Sequence, residues 1–425
     1  LRLARLASRP WVRPLFLAAC LLAMVVQGSV IAQRQARGLG DFGVSREFGR
    51  RFLAGEHLYE GGLKYPYLPS AGLVLAPLAL LGPGAGMALL YAIGVGSLWL
   101  TFALLHRMAA PRGAAGSANG FVPAALTLIL ASQYVLRDLD DGGPHLFLVA
   151  ILVGGIYCVW RGRYGPGAIC FGLATTLKVT PGLFLPFFLW KRQWRLAAYS
   201  AAAAAGWILL PAVWMGPTSW WSHQQEWARS ALGSVVGVRA EGVEANEERV
   251  QNQAFRPALM RYLGSSPAGL PLRAEPAASR PVPNLSPRRA RDLAVVGMLG
   301  LVALFLWQTR RRYHGPDDPR WPQESSGVPV LALLLSPITW LQHMVLMLPA
   351  LYLIVADACG GRRLAAPGAT AIGMYVILAV LLNREVVGKG MSLWLLSLGI
   401  HTLAMLIVLG LLLLRRPRGA EATPR

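Results

Sequence analysis

Asp41 stands just past an apolar run at 15–31 and opens a segment in which Val44, Phe48 and Phe52 fall four apart, with Arg46 and Arg50 facing the other way. That spacing predicts a short amphipathic helix lying in a membrane interface, with Gly55 as its end. A carboxylate held there could take a proton from a sugar hydroxyl as general base. The same residue type at the same place could equally be a helix N-cap. Lys178 interrupts the apolar run 169–188, where a charge is either functional or snorkels toward water. Beside a helix break it could meet a phosphate anion. The stretch Ser336-Pro337-Ile338-Thr339-Trp340-Leu341-Gln342-His343 joins two apolar runs. Pro337 breaks the first of them, and Trp340 suits headgroup depth. His343 could hydrogen-bond a phosphate or a sugar hydroxyl, move a proton, or serve as a structural histidine.

Gln251-Asn252-Gln253, with Arg256 and Arg261 after it, carries amides and guanidinium groups that suit sugar hydroxyls and phosphates. Asp138, Asp140 and Asp141 could hold a divalent cation through oxygen, or form a solvated acidic turn. No glycine-rich nucleotide loop, zinc-ligand spacing or GxSxG elbow is present. The four cysteines, Cys20, Cys158, Cys170 and Cys359, lie in or at the ends of apolar runs and suggest neither a metal nor a disulfide framework.

The elements that must position these groups are membrane helices. Of 425 residues, 55% are hydrophobic and 14% charged, against about 25% charged in a soluble globular chain. The runs 15–31, 87–105, 146–160, 196–213, 293–307 and 393–414 are continuously apolar rather than alternating. That favours helices over barrel strands, since about 20 such residues cross a hydrocarbon core of about 30 Å. The chain is thus expected to be an all-α polytopic membrane protein of roughly 10–13 spans, with about 12 the best count. The net charge of +21 gathers at span ends: the N-terminus, Arg161 and Arg163, Lys191 to Arg195, Arg310 to Arg312, Arg362 and Arg363, and Arg415 to Arg418. This distribution places loops on the cytoplasmic side beside anionic lipid, and it needs no nucleic acid to explain it.

The run 15–31 is longer than a signal-peptide core and lacks a small-residue cleavage site, so it is read as a retained first span. Residues 33–68 then form a first extracytoplasmic loop and 216–290 a large one, with both termini in the cytoplasm of a plasma or inner membrane. Residues 166–190, interrupted by Lys178, Pro181 and Pro186, are either one kinked helix or a hairpin of two short ones. Basic flanks at 161–163 and 191–195 favour the hairpin. Counting two spans in 70–105 as well leaves an odd total, so one of these two regions must be read differently.

Taken together, the motifs resemble glycosyltransferase family 87, polytopic enzymes of the GT-C class that use polyprenyl-phosphate sugars. The matching residues are Asp41 after the first span, Gly55-Glu56-His57-Leu58-Tyr59, Tyr65-Pro66-Tyr67-Leu68-Pro69 and Ala76-Pro77-Leu78. They continue with Gly172 through Lys178-Val179-Thr180-Pro181, Asn252-Gln253-Ala254-Phe255, and Ser336, Pro337, Trp340 and His343. The chain departs from the family pattern at Gly142-Gly143-Pro144-His145, where Gly-Gln-x-Asn is usual, and at Gln342, where a histidine is usual.

The resemblance implies a GT-C-like helical bundle that moves a mannose-like hexose or a pentose from polyprenyl phosphate to a lipid or envelope glycan. Transfer would occur at the outer face, with inversion at the anomeric carbon, and with neither cofactor nor metal. It makes Asp41 the base and assigns Lys178, Arg256 and Arg261 to the donor phosphate. It makes His343, Trp340, Asn252, Gln253 and Tyr65 substrate contacts. A lipid or sugar flippase, a secondary transporter, or a catalytically degenerate assembly subunit is the alternative; a transporter would be expected to show an internal repeat.

Overall fold

In the computed structural model the described residues are 11–36, 40–59, 67–109, 120–236, 249–263, 285–360 and 366–414, and they form helices and connections with no β-strand among them. In chain order the first helices are α1 (Val12–Ala36), α2 (Asp41–Ala54), α3 (Ala71–Leu80), α4 (Pro83–Ala109), α5 (Phe121–Leu130), α6 (Ser132–Asp141), α7 (His145–Trp160) and α8 (Tyr164–Leu177). A 3-10 turn at Thr180–Leu183 leads to α9 (Phe184–Trp190), α10 (Trp194–Leu209), α11 (Pro211–Met215), α12 (Pro217–Val236) and α13 (Phe255–Leu263). There follow α14 (Pro287–Gln308), α15 (Arg320–Leu335), a 3-10 segment Leu341–Met347, α16 (Leu348–Cys359), α17 (Ala366–Val376), α18 (Arg384–Ser397) and α19 (Ile400–Leu414).

Five stretches are long and apolar enough to cross a membrane: Pro14–Ile31, Pro83–Ala109, Trp194–Met215, Arg288–Gln308 and Leu341–Cys359. Two bent pairs pass the same test when each is taken as one span. These are Ser132–Asp141 with His145–Trp160, bent by 119°, and Ala366–Leu381 with Arg384–Ser397, bent by 94°. This is the composition of a polytopic membrane protein. The expected 10–13 spans exceed the five to seven that length and apolarity support among the described residues. Part of the shortfall has a geometric cause: α3 and α5 have 10 residues each, and a helix rises about 1.5 Å per residue.

Side-chain contacts show that residues 164–190 form a hairpin. Phe171 of α8 lies 4.6 Å from Phe184 and 4.9 Å from Phe188 of α9, ring centre to ring centre, so the two arms pack side by side. Both basic flanks reach the same connection between α14 and α15. Arg161 pairs with Asp317 at 3.3 Å, and the Asp317 N–H donates to the Trp160 carbonyl at 2.7 Å. Lys191, 2% exposed, donates to Glu324 at 2.5 Å and to the Thr309 carbonyl at 2.9 Å. Lys178, at the hairpin's tip, therefore lies at the opposite end of the bundle.

At that opposite end α2 and α3 pack on one another rather than running through the bundle. Gly49 touches the backbone of α3, and Gly72 lies under the Phe52 ring. A Cβ would come within 2.5 Å of the Leu75 carbonyl oxygen in the first case and 2.3 Å of the ring in the second. Phe48, Phe52, Leu58, Tyr59 and Leu75 make a small core of their own, separate from the main one along α4, α7, α8, α15, α16 and α19. Gly55 ends α2 in the left-handed conformation at φ 65°, with its own N–H and that of Glu56 returned to the helix's last carbonyls. On the polar face Arg50 hydrogen-bonds Glu47 and, with Arg51 adding to it against burial, holds that carboxyl down at about 2. The amphipathic helix expected from the spacing of residues 44–52 is present, and α3 is its packing partner.

Candidate active site

Three breaks in helical structure meet at this end of the bundle. The first is the bend between α6 and α7. Gly142 closes α6 at φ 68°, the Gly143 N–H returns to the Asp138 carbonyl at 3.0 Å, and Pro144 precedes the restart at His145. The turn sets residues seven apart in sequence beside one another. Asp138 Oδ1 accepts from His145 Nδ1 at 2.7 Å, and its Oδ2 accepts from the Leu146 N–H at 2.9 Å. Asp138 is 1% exposed. A carboxylate so buried requires such donors.

The second break is at Lys178. It leaves α8 in an extended conformation, φ −150° and ψ 132°, ahead of the turn containing Pro181. Its Nζ stands 3.3 Å from His145 Nε2. Because Nδ1 gives its proton to Asp138, Nε2 presents a lone pair, and the lysine is the donor.

The third break lies between α15 and Leu341–Met347. The Ser336 hydroxyl donates to the Ile338 carbonyl at 2.8 Å, and Thr339 returns its hydroxyl to the Leu333 carbonyl at 2.7 Å. The Trp340 N–H donates to His343 Nδ1 at 3.3 Å, which leaves the neutral ring's proton on Nε2. The His343 ring lies 4.6 Å from that of His145.

Asp41 stands over this junction. It is the first residue of α2, with Gly40 at the N-cap, so its carboxylate is not spent on capping. Gly40, at φ 108°, lies so close to α6 that a Cβ would come within 2.9 Å of the Asp141 carbonyl oxygen. Asp41 Oδ2 accepts from Gln342 Nε2 at 3.3 Å, and its charge reaches Tyr67, Asp138, His145 and Lys178. The structure thus brings together Asp41, Lys178 and His343, which the sequence singled out, with Trp340 adjoining.

Asn252, Gln253 and Arg261 are engaged with backbone. Asn252 Oδ1 accepts from the N–H groups of Thr339 at 2.9 Å and Ala254 at 3.2 Å, while Nδ2 donates to the Pro337 carbonyl at 2.9 Å. Gln253 Nε2 donates to the carbonyls of Leu396 at 2.8 Å and Val250 at 2.6 Å, and its Oε1 accepts from the His401 N–H at 3.3 Å. Arg261 donates to the carbonyls of Asn252 at 3.0 Å and Ser397 at 3.1 Å. These residues strap the Ser336-Pro337 turn to α18 and α19. Asn252→Ala would leave the buried Thr339 N–H unpaired, at about 1–3 kcal/mol. The expected result is a thermal midpoint lowered by several degrees in detergent, with the remaining folded fraction still active. Arg256 lies in the first turn of α13. Tyr65 falls outside the described residues.

The acidic trio divides. Asp138 turns to His145, while Asp140 and Asp141 pair with Arg137 at 3.8 and 2.8 Å. Among the described residues no group of three or more His, Cys, Asp or Glu is placed to hold a metal ion. Three residues of the junction were not among the sequence's site candidates, His145, Tyr67 and Gln342, and Asp138 was one only as part of a cation-binding trio or a solvated turn. His145 and Gln342 stood out only as departures from a motif.

The profile of glycosyltransferase family 87 matches residues 65–337. A polyprenol-phosphate-mannose-dependent alpha-(1-2)-phosphatidylinositol mannoside mannosyltransferase of Mycolicibacterium smegmatis is 25% identical over 362 residues, 79% of this chain and 73% of that one. Its namesake from Mycobacterium tuberculosis is 24% identical over 363 residues, with the same shares. A pentamannoside mannosyltransferase of Mycobacterium tuberculosis, also named as polyprenol-phosphate-mannose-dependent, is 23% identical over 317 residues, 73% of this chain and 62% of that one. No solved structure matches the chain significantly. With the profile covering most of its length, the chain belongs to glycosyltransferase family 87.

Proposed function

We propose that this membrane glycosyltransferase moves mannose from a polyprenyl-phosphate carrier to a hydroxyl of a lipid or envelope glycan at the outer face of the membrane. The observation that carries this reading is the meeting, at one end of the bundle, of a carboxylate at the first residue of α2 with a lysine at a helix break, each within reach of the other's charge. Polyprenol-phosphate-mannose dependence in the names of the relatives supports the donor.

In this reading Asp41 takes the proton from the acceptor hydroxyl as that oxygen attacks the anomeric carbon. The bond from that carbon to the phosphate oxygen breaks, and the electron pair leaves with polyprenyl phosphate. Lys178 meets the charge that develops there. His343, whose ring N–H meets the Ile338 carbonyl, is suited to line the site, and Trp340 to lie beside the sugar. Tyr65, Arg256 and the strap of Asn252, Gln253 and Arg261 shape the walls. One displacement inverts the anomeric centre, and no cofactor is invoked. A donor carried in the bilayer accounts for an enzyme built within it.

The basic end fits the cytoplasm and the junction the outer face, with 12 passes in a GT-C-like bundle if α1, α4, α5 with α6, α7, α8, α9, α10, α14, α15, α16, α17 and α19 each count as one. Residues 33–68 and 216–290 are then the outer loops. Cysteines introduced at Arg161 and Arg192, both exposed, are expected to react with a membrane-impermeant thiol reagent from the cytoplasmic side only. A cysteine at Val179, 47% exposed, is expected to react from the outer side; labelling of all three from one side would refute the hairpin.

The function is tested with purified protein in lipid, a panel of radiolabelled polyprenyl-phosphate sugars and a membrane-lipid extract. Transfer from the mannose donor, with the product anomer opposite to the donor's, is the expected result. Movement of the intact donor across a vesicle membrane without sugar transfer would favour a flippase.

A further inference from the structure

We propose that His145, locked by Asp138, is a positioning residue that aims Lys178 at the donor phosphate and so sets donor affinity. This rests on the reading of Lys178 as the phosphate's partner, and it goes beyond that reading in naming what holds the lysine. The geometry is a directed chain. Asp138 is buried, and both its oxygens are occupied, one by His145 Nδ1 at 2.7 Å and one by the Leu146 N–H at 2.9 Å. The carboxylate is therefore fixed to the first turn of α7 and cannot rotate away. It fixes the imidazole tautomer in turn, and Nε2 is left as an acceptor 3.3 Å from Lys178 Nζ. A lysine has a flexible four-carbon stem and three rotatable donors. Accepting one of them removes much of that freedom and leaves two directed elsewhere.

The contact between the His145 and His343 rings, 4.6 Å apart, limits rotation of the imidazole from its other side. His145 thus holds the lysine without touching the phosphate, much as groups behind metal-binding histidines set ring direction there.

Two substitutions separate the halves of the chain. His145→Gln places an amide oxygen near the position of Nε2 and keeps an acceptor for Lys178. His145→Asn places its polar atoms near Nδ1, retaining the Asp138 contact while withdrawing the acceptor. Both are small enough to fit, and the thermal midpoint of each reports folding. Wild type and both variants would be titrated with polyprenyl-phosphate mannose at fixed acceptor, then with acceptor at fixed donor. Binding of polyprenyl phosphate alone would be measured in nanodiscs without turnover.

The expected result is a donor KM and a polyprenyl-phosphate Kd raised about tenfold in His145→Asn, for one lost charge-assisted hydrogen bond. Both constants stay within about threefold of wild type in His145→Gln, and the acceptor KM is unchanged in both variants. Equal effects of the two substitutions, no effect of either, or a change confined to the acceptor KM would overturn the proposal. A wild-type protein that transfers no sugar, yet binds polyprenyl phosphate in a manner that His145→Asn weakens and His145→Gln does not, would sink the transfer reading alone. Failure of the wild type to bind polyprenyl phosphate would sink both.

Discussion

Asp41→Asn is expected to lower sugar transfer by about 10²–10⁴-fold, the range a positioned general base contributes, while leaving the fold and polyprenyl-phosphate binding in place. The argument is positional. Gly40 takes the N-cap of α2, and Asp41 follows as the first helical residue, with Gln342 Nε2 at 3.3 Å as its partner. An asparagine keeps the shape and can still meet Gln342, so the substitution removes the basicity and the negative charge but not the contact. Its signature is a fall in kcat with both KM values near wild type, because the proton is taken only as the acceptor oxygen attacks. A stability effect large enough to explain the loss is not expected, since Asp41 neither caps the helix nor joins the small core of Phe48, Phe52 and Leu75.

Lys178→Ala is expected to cost about 10²–10³-fold, comparable to removing one preorganised donor from a developing negative charge. It differs from the loss at Asp41 in kind. The phosphate is already charged in the bound donor, so part of the effect falls on donor KM and part on kcat. Lys178→Arg is expected to recover only part of the activity. The guanidinium is planar and larger, and it cannot use His145 Nε2 as an ammonium does from the end of an extended residue at φ −150°. Steady-state titration of donor at saturating acceptor reads the split. A variant that loses acceptor affinity instead would reassign Lys178.

How much of this was legible in the sequence depends on whether the signal was local. Helix α2 was, because Val44, Phe48 and Phe52 mark one face and Gly55 supplies the left-handed end. The hairpin was legible in part, because basic residues on both flanks of 166–190 favoured it over one kinked helix, and both flanks meet the chain between α14 and α15 through Asp317 and Glu324. Helix α3 was not, since an apolar decapeptide reads alike whether it faces lipid or α2. The distinction lies in Gly49 and Gly72, whose missing side chains admit the partner. Its packing on α2 leaves α4 as the long span of 70–105, which eases the parity conflict in the topology.

At the site, Asp41, Lys178 and His343 announced themselves because each is a polar residue beside an apolar run. Asp138 was offered only as a cation ligand or part of a solvated turn, and His145 only as a departure from a motif. Separated by seven residues, they meet only because the chain bends by 119° at Gly142, and a sequence of alternating acids reads as solvated until that bend buries one of them. Asn252 and Gln253 were ambiguous for another reason. An amide suits a sugar hydroxyl and a backbone peptide equally well, and here the peptides of Thr339, Leu396 and His401 are the partners.

The most direct test of the central claim is transfer of radiolabelled mannose from polyprenyl phosphate to a membrane-lipid acceptor, with purified wild type and Asp41→Asn assayed side by side in lipid. The prediction is a glycolipid product with wild type and its near-complete loss in a mutant of unchanged thermal midpoint. Transfer at the wild-type rate by the folded mutant would contradict the account.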